Sequence, residues 1–191
     1  VYGFYRGDQM LTAAAGALHS STLGVAGAPP FLGHIGGDDF LVVCTPDQVR
    51  PITDRAITLF DQASRVLYDP DDLARGYFEV LDRQGRLRRH GLLTLSIGVA
   101  VSTQRRFTDH REVVAAASEM KSVAKRTEGS MVAVDRRRDP EPGRGAAVGA
   151  PRVRAPRVRA ADVRPVLTPD GAAVAAVRHP GPVRPGLRRA P

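Results

Sequence analysis

Two carboxylates stand side by side behind two glycines at Gly36-Gly37-Asp38-Asp39-Phe40. Paired glycines permit a tight, positive-φ turn and let a ligand approach the backbone closely. Side chains alternate along a strand, so Asp38 and Asp39 would point to opposite faces as the strand begins. One carboxylate could face a divalent cation held by oxygen ligands while its neighbour faces a substrate hydroxyl. The same five residues also make an ordinary polar turn with no chemistry attached. The pentapeptide alone does not choose between the two.

Other candidate groups point away from catalysis. Ser96 lies in Ser-Ile-Gly and not in a Gly-x-Ser-x-Gly elbow, so nucleophilic hydrolysis has no support. His34 has no second His or Cys at metal spacing and reads as a partly buried, structurally satisfied residue; His19, His90, His110 and His179 are scattered. The single cysteine, Cys44, closes the apolar run that starts at Phe40 and reads as a small core residue. Arg86, Arg88 and Arg89 read as a solvated, charged strand edge that discourages aggregation, with a phosphate or protein contact as the alternative.

The elements that must position the carboxylates follow from periodicity. Met10, Leu11, Ala14, Ala15 and Leu18 share one helical face over 7–18. Phe31–Ile35 and Phe40–Cys44 are apolar runs around the Gly-Gly-Asp-Asp turn, a hairpin signal. Thr45-Pro46-Asp47 starts a helix, with a hydroxyl cap and proline at the first position, and Val49, Ile52, Ala56, Leu59, Phe60, Ala63 and Leu67 continue it. A second hairpin brackets Asp82–Gly85, between 77–81 and 87–93. Residues 92–101 carry few charges and read as a buried central strand. A helix from Asp109 buries Val113, Ala116, Ala117, Met120 and Val123, and Met131–Val134 is a last strand. The order predicts an α/β domain with helices on a mostly antiparallel sheet.

Four landmarks resemble the GGDEF domain, the bacterial diguanylate cyclase family. Gly36–Phe40 is similar to its signature, with aspartate in the fourth position. Tyr2 to Leu11 resembles the Gly-His-x-x-Gly-Asp-x-x-Leu segment, Thr94-Leu-Ser-Ile-Gly-Val-Ala100 the Thr-x-Ser-x-Gly-x-Ala strand, and Ala115 to Lys125 the late helix ending in Ala-Lys. They stand in family order over residues 2–135. The segment from Leu67 to Tyr77 and the Asp82–Arg86 hairpin read as an insertion.

The resemblance implies a nucleotidyl-cyclase palm-like fold and condensation of two GTP molecules into cyclic di-GMP across a homodimer, with Mg²⁺ or Mn²⁺. Asp39 would ligate the metal and Asp38 would assist deprotonation of the attacking ribose hydroxyl. Gly36 and Gly37 would admit the nucleotide, Asp8 would bond guanine, and Lys125 would neutralise phosphate charge. The family's first strand, with Asp-x-Asp-x-Phe-Lys and the following Asn-Asp, is expected before Val1, so the fold is expected to lack it. Asp39 is one methylene shorter than the family glutamate, and Gly27–Pro30 stands where an inhibitory Arg-x-x-Asp is expected. The expectation is therefore a chain inactive by itself, from a parent that makes cyclic di-GMP under an upstream sensor domain. The alternative is a degenerate, regulatory GGDEF module that binds GTP or a partner protein.

Composition changes after Arg138. Residues 1–138 form the expected partial domain, while 139–191 are Arg-, Pro- and Ala-rich, repeat Ala-Pro-Arg-Val-Arg at 150–154 and 155–159, and hold no aromatic residue. Frequent proline blocks helix and central strand, so this tail is expected to be disordered. Ten arginines against four acids give it +6 of the net +8. Charge alone could bring it to nucleic acid or anionic lipid, but no aromatic is interleaved for base stacking. A solvated tail without a specific partner is the favoured reading, and a frameshifted or read-through stretch of GC-rich coding is a third alternative. No apolar run nears the roughly 18–20 residues of a membrane span, and no signal-peptide pattern is present, so a cytoplasmic protein is expected.

Overall fold

The computed structural model describes residues 3–82, 84–103, 105–139 and 173–178. Helix α1 (Gly3–Thr22) buries Met10, Ala14, Ala17 and Leu18 along one stripe. Helix α2 (Val49–Arg65) buries Ile52, Ala56 and Phe60, and the two stripes meet. Pro46–Gln48 form a short 3-10 turn ahead of α2, so the predicted start at Thr45 is reproduced. Helix α3 (Pro70–Arg75) falls inside the stretch read as an insertion. Its cues are proline at the first helical position and Gly76 just past the end at φ 74°, a left-handed stop.

Two hairpins form where the turn residues place them. The first is β1 (Phe31–Gly36) against β2 (Asp39–Cys44); the second, β3 (Tyr77–Leu81) against β4 (Leu87–Gly91), stands as its own two-stranded sheet. Then come β5 (Ser96–Val101), α4 (His110–Ala124) and β6 (Met131–Val134). Asp109 caps α4 by accepting the Arg111 backbone N–H at 2.8 Å. Among the described residues no helix is long and apolar enough to cross a membrane.

The main sheet has five strands in the order β1-β2-β7-β5-β6, and its centre corrects one expectation. Residues 139–191 are expected above to be disordered, yet Ala173–Arg178 form strand β7 between β2 and β5, antiparallel to both. Phe40 to Cys44 oppose Val177 back to Ala173, and Ser96 to Val101 oppose Arg178 back to Ala173. The physical reason is local. The run Ala-Val-Ala-Ala-Val contains neither proline nor glycine, unlike its surroundings. The facing edges of β2 and β5 offer it a backbone partner on each side. The rest of the tail, 140–172 and 179–191, lies outside the described residues. Among the described strands only β5 and β6 pair in parallel, so the observed architecture is a mixed α/β layer structure.

Alternation sorts the two faces. Phe40 and Val42 of β2 and Ile97 and Val99 of β5 join α1 and α2 in one core. Leu41, Val43 and Ala100 pack on the opposite face with Val113, Ala116 and Ala117 of α4. The hairpin is also tied from below. The Gln48 side chain, 2% exposed, accepts the Thr45 N–H at 3.1 Å and donates to the Ala26 and Ala28 carbonyls at 2.7 and 2.9 Å. One buried amide thus fixes the loop that leads into β1.

Replacing it orphans three backbone groups. Gln48→Leu is expected to lower stability by about 2–4 kcal/mol, read as a shift of the urea midpoint at unchanged m-value.

Candidate functional site

The tip of the β1–β2 hairpin is built by its glycines. Gly36 sits at φ 143° and Gly37 at φ 59°, a region costly for any residue with a Cβ. Gly36 opposes Asp39, which leaves Gly37 and Asp38 as the two turn residues, and a bulge between His34 and Gly36 leaves Ile35 exposed. His34 closes the turn by bonding the Gly37 carbonyl through Nε2 at 2.9 Å and stacking on Phe40 with ring centroids 4.7 Å apart. It is structurally satisfied, as expected, but exposed rather than partly buried.

Asp39 is the first residue of β2 and shares the α4 face with Leu41 and Val43. Its Oδ1 accepts from Lys121 Nζ at 3.2 Å, and the lysine side chain is only 12% exposed. Gly98 makes this contact possible. A Cβ on Gly98 would land on the Ala117 carbonyl oxygen and the Lys121 backbone nitrogen. Glycine in the middle of β5 therefore lets α4 lie against the sheet, and that closeness delivers the ammonium to the hairpin.

The other predicted residues are placed as follows. Asp38 is half-buried in the turn beside Asp39. Lys125 follows the last residue of α4, one turn beyond Lys121. Asp8 is exposed on α1, which packs on the opposite face of the sheet from α4. The structure thus brings Asp38 and Asp39 together with Gly36 and Gly37, keeps Lys125 on the neighbouring helix, and puts Asp8 in the other layer. Lys121 is the residue that sequence reasoning missed. Its signal is its place on the buried stripe of α4, four positions after Ala117 and three before Ala124: a lysine there needs an acid.

Among the described residues no group of three or more His, Cys, Asp or Glu side chains could hold a metal ion. The described residues alone do not fit a resident Mg²⁺ or Mn²⁺, because the Asp39 carboxylate already has a cation. Cys44 is half-buried, and burial together with the Asp47 charge pushes its thiol up to about 11, so in the folded chain it is a poor nucleophile near neutral pH. On the second hairpin Arg88 pairs with Asp82 at 3.1 Å, and Arg89 pairs with Glu79 at 2.9 Å while lying over the Tyr77 ring. Two of the three arginines on that edge are thus compensated within the hairpin. Compared with protein-family models, curated proteins and solved structures, the chain matches none.

The ion pair carries an asymmetric expectation. Lys121 is the more buried partner, so Asp39→Ala strands an ammonium and is expected to cost about 1–3 kcal/mol. Lys121→Met leaves a carboxylate with access to water and is expected to cost less than about 1 kcal/mol. Urea unfolding of the two variants measures the difference.

Proposed function

We propose that this chain is a GGDEF-like module of cyclic di-GMP signalling that binds GTP at the Gly36–Asp39 hairpin and does not condense it. The four ordered sequence landmarks support the family reading. The observation that carries the non-catalytic half is the Asp39–Lys121 pair: the carboxylate that would take a divalent cation is neutralised by a fixed, nearly buried ammonium. The strand beside β2 supplies no second acid, since 173–178 contains none. In-line attack on an α-phosphate needs concentrated positive charge and a base aligned together, and one lysine-paired aspartate falls short of that. Binding asks for less. Turn amides opened by two glycines can donate to a nucleotide phosphate.

Incubating the full chain with GTP and Mn²⁺ is expected to yield no cyclic di-GMP by mass spectrometry. Saturable binding of a fluorescent GTP analogue is expected, weakened at least about tenfold in Gly37→Val, whose Cβ is disfavoured at that φ. Appearance of cyclic di-GMP would overturn the non-catalytic reading, and absence of saturable binding would overturn the nucleotide reading.

A further inference from the structure

The centre of the main sheet is made by residues far along the chain from both of their neighbours. Between Asp139 and Ala173 lie residues 140–172, a tether able to reach roughly 100 Å at full extension. A six-residue strand is about 20 Å long. The tether therefore does not dictate which copy's β2–β5 slot the segment enters.

The slot itself is demanding. With β7 absent, β2 and β5 would face each other across a gap, each showing unpaired N–H and C=O groups in the middle of a sheet. Residues 173–178 satisfy both edges at once, over Phe40–Cys44 on one side and Ser96–Val101 on the other. The same segment of a second copy would make the identical ladder, with no new contact to invent. A flexible linker of this length would hold the strand at an effective concentration on the order of millimolar. Its own slot therefore wins when copies are micromolar, and exchange competes as the protein nears millimolar concentration or folds while crowded.

We propose that β7 is an exchangeable strand, and that the β2–β5 slot accepts residues 173–178 of a second copy to form a strand-swapped dimer. The partner is another copy of this chain because residues 173–178 already ladder with both edges in this register.

The lone cysteine supplies the test. Cys44 opposes Ala173, and directly opposed residues of an antiparallel pair have Cα atoms about 4.5–5.5 Å apart, within disulfide range. A donor chain carrying Ala173→Cys with Cys44→Ser is mixed with the wild-type acceptor chain, which keeps Cys44. The pair is refolded together near millimolar concentration in a glutathione buffer. A covalent donor–acceptor heterodimer is expected on non-reducing electrophoresis, at least about fivefold above a donor with Val174→Cys and Cys44→Ser, since position 174 opposes Val43 instead. Yield should fall about tenfold or more when the mixture is refolded at micromolar concentration. Separately, Ala173→Cys in the otherwise native chain should give an oxidised monomer when dilute. No heterodimer at millimolar concentration, alongside that oxidised monomer, would overturn the exchange. Equal cross-linking from positions 173 and 174, or no oxidised monomer, would overturn the slot and its register.

Discussion

A sheet cannot carry two unpaired edges through its middle, and the rest of this molecule depends on how that constraint is met. The strand β7 joins a β1–β2 hairpin to a β5–β6 pair and makes one five-stranded sheet of them. Its ladder sets β2 and β5 two strand spacings apart, close to 10 Å. Lys121 sits on a helix packed against β5, and Asp39 begins β2. Their 3.2 Å contact therefore spans the gap that β7 fills. Remove the strand and the hairpin tip is held to α4 only by the packing of Leu41 and Val43 and by the ion pair itself.

Close packing and charge then act together. Gly98 trades the β-propensity of a larger side chain for room, and α4 uses that room to touch the sheet backbone. A lysine on the buried stripe of such a helix loses most of its water, a loss of about 1–3 kcal/mol if unmatched. Asp39 matches it. The pair also bears on the proposed function, because the carboxylate that a metal cation would need is already engaged with a lysine.

Much of this was legible in the sequence, and the gaps have physical causes. The stripe of α2, the hairpin around Gly36 and Gly37, and the cap at Asp109 were readable because each rests on local chemistry: periodicity, positive φ, an N-terminal acceptor. Helix α3 went unread although Asp69-Pro70 and Gly76 bracket it, because six residues are too few to show a period. β7 was unreadable for a deeper reason. Ala-Val-Ala-Ala-Val amid proline and arginine has little preference of its own, and it becomes a strand only where two distant edges require one. Lys121 was missed likewise: nothing local says that α4 lies close enough to the sheet for a lysine to reach the hairpin.

The claim that the tail closes the sheet is tested most directly by native-state hydrogen–deuterium exchange on the full chain. The account predicts that amides of 173–178 are protected together with those of 40–44 and 96–101, and lose protection in step with them as urea is added. Exchange of 173–178 at the rate of an unfolded peptide, while 40–44 and 96–101 stay protected, would contradict it.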